Sequence, residues 1–397
     1  MKILLVNDYG SLHGGAEILT FGLRDRLRER GHDVRVFTSS AGRPGESRQG
    51  DYECYGTLSR YRTLLQTINP WAYVRLRRVL RDFQPDVVHV RMFLTQLSPL
   101  ILPLLRRIPS LYHVVWYRPV CPLGTKTLPD GRPCRESPGV ICYQSRCLSL
   151  RDWIPLMLQM WLWRRWRKVF DLVVANSEAT RHSLISEGIG PVNVVWNGVP
   201  LQSLRPQLSD TPVVAYVGRL VHEKGVDVLL HAFRTVVDRI PKAKLLIIGD
   251  GNERDRLLKL IPTLELNSNV SMLGYLSRSE VERYCAMAWV QAVPSRWAEP
   301  FGLVAAEAMM RGTAVVATAS GGLSEVIENG ETGFLIPPGN VPALADVLIR
   351  LMSNRDLAEK IGEAGQVFAR KHLTEASCID RFVGFYYEIC HGEMRTS

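Results

Sequence analysis

No run of 18 apolar residues occurs in the 397-residue chain. The nearest approach, Trp153 to Trp163, contains Gln159 and closes on Arg164-Arg165, too short to span a bilayer. The opening Met1-Lys2-Ile3-Leu4-Leu5-Val6 turns polar at Asn7-Asp8, well short of a signal-peptide core, so a cytoplasmic location is expected. No tandem repeat of 20 to 50 residues and no low-complexity tract is visible, which removes repeat architectures. Acidic residues are in deficit: 39 Asp and Glu face 49 Lys and Arg, a formal charge of +10. That balance favours an anionic partner such as a phosphorylated small molecule, an acidic membrane surface or nucleic acid. No nucleic-acid recognition motif is present, and nucleic acid is not expected as a partner. A hydrophobic fraction of 46% with 31 Gly and 23 Pro excludes collagen-like, disordered and disulfide-dense chains.

At about 150 residues per domain the length predicts two domains. Short β-branched apolar runs alternate with longer amphipathic segments, the pattern of parallel strands joined by crossover helices. It occurs twice. Strands are expected at 3–7, 34–38, 87–90, 112–116, 172–175 and 192–196, then at 213–217, 244–248, 270–273, 290–293, 314–317 and 333–336. The polar, proline-bracketed stretch Pro200 to Asp210 reads as a linker. The expected fold is α/β, with two Rossmann-like doubly wound domains: residues 1–204 and 205–374. Residues 375–397, with Phe382, Phe385, Tyr386 and Ile389 at helical spacing, predict a C-terminal helix packing back on the first domain. In such folds ligands bind at the carboxyl ends of the strands, so the cleft between the domains is where chemistry is expected.

Three strand-to-helix turns carry chemistry. Gly14-Gly15 follow the first strand and open a helix, where exposed N–H groups suit a phosphate or hydroxyl; a bare turn fits equally. The spacing is not Gly-x-Gly-x-x-Gly, which counts against a dinucleotide cofactor. Arg219 and Lys224 leave the 213–217 strand together, a pair of cations suited to a diphosphate, although a solvated pair on a turn is the plainer alternative. After the 290–293 strand, Glu299-Pro300-Phe301-Gly302 leads into an Ala-rich helix holding Glu307. Backbone N–H groups at Phe301, Gly302, Leu303 and Val304 would face a phosphate. Glu299 and Glu307 can then address opposite ends of one ligand, each accepting two hydroxyl hydrogen bonds from a sugar or ribose diol. The apolar flanks of Glu307 turn it inward.

Gly218-Arg219-Leu220 with Glu223-Lys224-Gly225, Gly249-Asp250-Gly251, Glu299 to Glu307, Ser320-Gly321-Gly322, and Asn329-Gly330 with Thr332-Gly333 together resemble the retaining GT-B glycosyltransferases of family 4. The resemblance continues through Gly14-Gly15-Ala16-Glu17, Pro85-Asp86-Val87-Val88-His89, Asn176-Ser177-Glu178 and Asn197-Gly198-Val199. It implies a retaining, metal-independent hexosyltransferase that uses a nucleotide-diphosphate-sugar and needs no cofactor. Arg219 and Lys224 would hold the diphosphate, Glu299 the transferred sugar and Glu307 the ribose. Phe301 to Val304 would complete the phosphate site, Gly14 and Gly15 would line the acceptor side, and the acceptor would be a glycan or lipid-linked sugar in cell-surface polysaccharide or glycolipid synthesis. No Asp-x-Asp motif is present to argue for a metal-dependent donor site.

One departure stands out. Many relatives carry a His-Asp pair shortly before a Cys-Pro, and the corresponding stretch here is Val115-Trp116-Tyr117-Arg118-Pro119-Val120-Cys121-Pro122. His113, two residues earlier, is the candidate substitute, and a non-catalytic or regulatory sugar-nucleotide binder is the alternative function. Cys121, Cys134, Cys142 and Cys147 crowd the Gly- and Pro-rich loop at about 118–150. They are candidates for a structural zinc or for free thiols in a lid, their spacings containing no Cys-x-x-Cys. Finally, Trp153, Trp161, Trp163 and Trp166 lie among Arg164, Arg165, Arg167 and Lys168, and Arg75, Arg77, Arg78 and Arg81 add a second basic face. Interleaved aromatic and basic residues suit an anionic membrane surface, and equally a thick-faced domain helix.

Overall fold

The structure, a computed structural model, describes residues 1–12, 14–42, 45 and 47–392. It has two compact units, Met1–Trp196 joined by the chain from Cys378, and Asn197–Ser377. Among the described residues the first unit has seven strands: β1 (Lys2–Tyr9), β2 (Asp33–Ser39), β3 (Tyr52–Cys54), β4 (Val87–Val90), β5 (Ser110–Val114), β6 (Leu172–Ala175) and β7 (Val192–Val194). They form one parallel sheet in the order β3-β2-β1-β4-β5-β6-β7. The second unit has β8 (Val213–Val217), β9 (Lys244–Ile248), β10 (Val270–Gly274), β11 (Val290–Val293), β12 (Ala314–Thr318) and β13 (Phe334–Ile336). These run parallel in the order β10-β9-β8-β11-β12-β13.

Central strands are buried on both faces because helices cover both sides of a parallel sheet. Ile3, Leu4, Leu5 and Val6 are all inaccessible, which is why they read as a continuous apolar run. Every strand expected from that pattern is present to within three residues at either end. The edge strand β3 was not anticipated: three residues, Tyr-Glu-Cys, carry no period that separates them from a loop. No helix among the described residues is long and apolar enough to cross a membrane.

By contacts the two units divide at Trp196/Asn197, eight residues before the 204/205 join expected from the sequence. The reason is that Val199 bridges Thr374, and the Val199 N–H donates to the Leu373 carbonyl at 2.8 Å, which ties residues 197–199 to the second unit. Nor is 200–210 a free linker. Leu208 is buried in the second core, Trp289 Nε1 donates to the Ser209 carbonyl at 3.1 Å, and Arg205 Nε donates to the Gly312 carbonyl at 2.8 Å.

The last helix, Glu375–His391, inserts Ile379, Phe382, Tyr386 and Ile389 into the core formed by Ile3, Leu5, Phe21 and Leu27 of the first unit. Tyr386 Oη and His89 Nδ1 are hydrogen-bonded at 2.6 Å in this core. In the second unit, Asp227 in the first turn of the helix Val226–Arg239 receives Arg296 at 2.5 and 3.0 Å and Arg256 at 3.2 Å. These bonds lock the loop after β8 to the loop after β11. Burial works to raise the Asp227 carboxyl, but the two guanidinium groups outweigh it and hold it down at about 2.

Two stability predictions follow from these contacts. Phe382→Ala, which empties a buried aromatic site, should cost about 3–5 kcal/mol in urea unfolding. Asp227→Asn should cost about 2 kcal/mol at pH 7, because a depressed carboxyl pKa stabilises above the unfolded value and loses that contribution as pH falls toward the folded one. The gap between wild type and variant should therefore narrow from pH 4 downward; a gap independent of pH would show that the ion pairs do not carry it.

Candidate functional site

In the second sheet the strand order reverses between β8 and β11, and such a reversal leaves a crevice at the strands' carboxyl ends. The chain leaving β8 brings Arg219 and Lys224; the chain leaving β11 brings Ser295, Trp297 and Glu299. Lys224 Nζ donates to Glu299 Oε1 at 2.6 Å and lies 5.5 Å from the centre of the Trp297 ring. Ser295 Oγ donates to the same Oε1 at 2.5 Å. Glu299 is buried. Burial pushes its carboxyl up, but the Lys224 charge and the hydrogen bonds from Lys224 and Ser295 prevail and leave it below the ordinary carboxylate range. The crevice thus holds a buried, ionised carboxylate beside a partly buried ammonium.

Arg219 is placed differently. Its side chain is exposed and has no hydrogen-bond or ion-pair partner among the described residues. Its backbone is held: Tyr216 Oη donates to the Arg219 carbonyl at 2.9 Å. A fixed backbone carrying an uncommitted guanidinium suits bidentate capture of an oxyanion.

The loop after β12 closes the crevice. The Gly322 N–H donates to the Glu299 carbonyl at 2.8 Å. Gly321 has φ 61°, and a Cβ there would overlap the Glu299 backbone, so glycine is required for this approach. Phe301 is buried, and Gly302, with φ 100°, precedes the helix Leu303–Arg311. A Cβ on Gly302 would run into Leu323. No side chain caps this helix, so the N–H groups of its first turn, Leu303 and Val304, are available to an anion. Glu307 lies one turn further on. Ala305, Ala306, Ala308 and Met309 around it are fully buried, whereas Glu307 itself is half-buried. Burial raises its carboxyl above the ordinary value, and it accepts no hydrogen bond among the described residues. Such a carboxylate is suited to accept from ligand hydroxyls.

The sequence reading named Arg219, Lys224, Glu299, Glu307 and residues 301–304, and all lie on the loops and helix around this reversal. It gave no role to Ser295, Trp297 or Tyr216. Ser295 and Trp297 stand inside the loop that contains Glu299, and a carboxylate expected to be buried and charged needs donors nearby, which is the signal that would have found them.

The first unit has the equivalent reversal between β1 and β4. Gly14 and Gly15 open the helix Gly15–Glu29 after β1, again with no side-chain cap. Asp8, at the end of β1, is fully buried and accepts from the Thr95 N–H and Oγ1 and from the Gln96 and Leu97 N–H groups at 2.6–3.0 Å. Glu17 is buried in the first helical turn, and burial pushes its carboxyl up to about 7.

His113 is corrected. It is 1% exposed, its ring lies 4.8 Å from Phe382 and 5.6 Å from His89, and neither ring nitrogen has a partner. Burial holds it far below the ordinary histidine range and therefore neutral. It is the penultimate residue of β5, and its side chain packs in the core against Phe382 of the last helix, so it presents no group to an acceptor. Cys121, Cys134, Cys142 and Cys147 are half-buried free thiols, and no group of His, Cys, Asp or Glu among the described residues is arranged to hold a metal. Backbone bonds order their loop instead, as where the Cys134 N–H donates to the Lys126 carbonyl and Thr127 bridges Pro133.

Two family descriptions match consecutively, "Glycosyltransferase Family 4" over residues 13–203 and "Glycosyl transferases group 1" over residues 204–368. The chain is 32% identical to alpha-D-kanosaminyltransferase of Streptomyces kanamyceticus over 46% of this chain and 47% of that protein. It is 31% identical to a sulfoquinovosyl transferase of Arabidopsis thaliana over 55% and 45%. The chain spans about half the length of the curated relatives it matches. Its fold resembles sucrose-phosphate synthase from Thermosynechococcus elongatus, with a TM-score of 0.75 and 23% identity over 99% of this chain and 100% of that one. It also resembles HepE of Anabaena in complex with UDP-glucose, with a TM-score of 0.71 and 21% identity over 97% and 98%. Family matches that meet at residue 203/204, on a fold shared along the whole chain, establish that this protein belongs to the family 4 glycosyltransferases of GT-B fold.

Proposed function

We propose that the protein transfers a hexose-type sugar, with retention of configuration, from a nucleotide-diphosphate donor to a glycan or lipid-linked acceptor in cell-surface polysaccharide or glycolipid synthesis. The observation that carries this reading is the ionised Glu299 held by Lys224 and Ser295 beside an uncapped helix N-terminus. Arg219, Lys224 and the N–H groups at Leu303 and Val304 receive the diphosphate, and Glu307 receives the ribose hydroxyls. Glu299 accepts from the hydroxyls of the sugar, which orients its anomeric carbon.

In the transfer, the bond from the anomeric carbon to the diphosphate oxygen breaks and a bond to the acceptor oxygen forms on the same face. The acceptor's proton passes to the departing phosphate oxygen. Negative charge grows on the diphosphate as the bond breaks, and two cations with two fixed N–H dipoles stabilise that charge without reorganisation. This charge set is the basis for proposing metal-independent transfer. The protein works in the cytoplasm, in contact with the inner face of the membrane where a lipid-linked acceptor is presented.

A second reading, a sugar-nucleotide binder without transfer activity, is favoured by the burial of His113, which leaves the acceptor side without the titratable histidine that the sequence pointed to.

Thermal melting with UDP, GDP, ADP and their sugar conjugates tests donor binding. One nucleotide should stabilise the protein by about 2.7 kcal/mol at a hundredfold excess over its Kd. Arg219→Ala should weaken that binding about tenfold with no change in stability, since the side chain is exposed and unpaired. With the donor identified, Glu299→Gln should lower kcat by roughly 10²–10³-fold while the nucleotide still binds. Near-normal transfer by this variant would overturn the site. Turnover of donor by the wild type separates the enzyme from the binder. Lys224→Ala should weaken nucleotide binding and also destabilise by about 3 kcal/mol, because Glu299 is left buried and unpaired. Adding Glu299→Gln should restore stability but not binding.

A further inference from the structure

The helix Leu150–Trp166 is apolar on two faces. Pro155, Leu156, Gln159, Met160 and Trp163 are buried. Leu150, Ile154, Leu158 and Trp161, spaced four, four and three apart, form a stripe on the other side, with Ile154 59% and Trp161 60% exposed. A helix apolar all round that leaves one stripe open to water has an unfilled partner position.

That stripe continues into a groove of about 460 Å³ formed with two preceding helices, Arg62–Thr67 and Pro70–Phe83, and lined by Tyr55, Tyr61, Leu64, Ile68, Trp71 and Leu158. Leu64 is 60% and Trp71 55% exposed. The groove is preformed. Thr63 Oγ1 donates to Asp152 at 3.0 Å, Thr67 Oγ1 donates to the Pro155 carbonyl at 3.0 Å, and the Tyr55 and Trp71 rings lie 5.3 Å apart.

Its border is cationic. Residues 60–83 carry six arginines and one acid, Asp82, which pairs with Arg78 and Arg81, and residues 150–168 carry five basic residues and one acid. That acid, Asp152, is engaged by Thr63 and Ser149. Arg75 and Arg165 are exposed and have no ion pair among the described residues. On the helix Pro70–Phe83, Trp71, Val74, Arg75 and Arg78 follow at three- and four-residue spacing, so apolar and basic side chains share one face.

We infer that this face of the first unit docks on an anionic lipid bilayer, with Trp71, Trp161, Leu64 and Ile154 entering the headgroup and acyl boundary and the arginines meeting lipid phosphates. Charge complementarity selects this occupant. A second copy of the chain seated symmetrically here would set arginine against arginine. Nucleic acid fits less well, because Leu64, Ile68, Val74, Ile154 and Leu158 leave exposed aliphatic surface between the aromatic rings on which no base stacks. An aromatic and aliphatic centre within a basic rim is the composition that an interfacial membrane surface requires. The inference rests on the proposed function only in placing the acceptor at a membrane, and it names the surface that brings the enzyme there.

The test is flotation of the full chain with vesicles of phosphatidylcholine alone or mixed with phosphatidylglycerol. The wild type should float with the mixed vesicles only, less so as salt rises. The double variant Trp71→Ser with Trp161→Ser should lose at least tenfold in vesicle affinity. Arg75→Gln and Arg165→Gln should each lose about fivefold. All of these side chains are exposed, so melting temperature and nucleotide binding should be unchanged, and both are measured on the same samples. Failure of the wild type to float, flotation equal on neutral vesicles, or flotation unaffected by the variants overturns the inference. So does a dimer in sedimentation that the tryptophan variant dissociates. Loss of flotation with nucleotide binding intact leaves the transferase reading standing, and flotation without nucleotide binding removes that reading while the docking face remains.

Discussion

The second unit is organised around one constraint: a carboxylate, Glu299, is buried and must remain charged. Removing an ionised group from water is costly unless donors and an opposite charge replace the solvent. Lys224 supplies the charge from the loop after β8, and Ser295 supplies a hydroxyl from the loop that carries Glu299 itself. Those two loops must be held together for the arrangement to exist. Asp227 and Arg296 hold them, and Gly321 lets the loop after β12 approach the backbone of Glu299 from the other side. All three loops leave the same edge because the strands run parallel, and the reversal of strand order between β8 and β11 opens the crevice there.

The two units resolve buried polarity in different ways. In the second, the charged pair stands next to an uncapped helix and an uncommitted arginine, so the polar groups are arranged toward a ligand. In the first, Asp8 is saturated by four hydrogen bonds, and His89 and His113 pack as neutral rings tilted against Phe382, with His89 also hydrogen-bonded to Tyr386. The last helix crosses from the second unit to complete that core, so the histidines of β4 and β5 serve its packing. The first unit's other marked feature is outward-facing: an apolar groove and a basic rim on helices whose inner faces already fill the core.

The sequence was most legible where one local pattern has one physical solution. Continuous apolar runs of four to six residues in alternation with amphipathic segments have no better home than a parallel sheet covered on both faces, and the strand positions follow. Arg219, Lys224, Glu299 and Glu307 were legible for a related reason: each lies within a few residues of a strand's carboxyl end or in the helix that follows, and backbone geometry alone delivers them to one edge. The residues that serve them were less visible. Ser295 and Trp297 matter only because Glu299 is buried, and burial is a property of the assembled loops.

By itself, then, the sequence determined the paired doubly wound architecture, every strand position but that of the edge strand β3, the family and the location of the residues proposed to bind the anion, because these depend on period, composition and short-range spacing. Tertiary structure decided what depends on neighbours distant in the chain. His113 is two residues from a family position, yet Phe382, 269 positions away, encloses it. The stretch 200–210 has a linker's composition, yet Arg311 and Trp289 of the second unit hold it down. The tryptophan-rich helix has apolar residues on every side, and only packing decided which side faces water. Burial is set by contacts between segments that the chain brings together only on folding, and no local pattern records them.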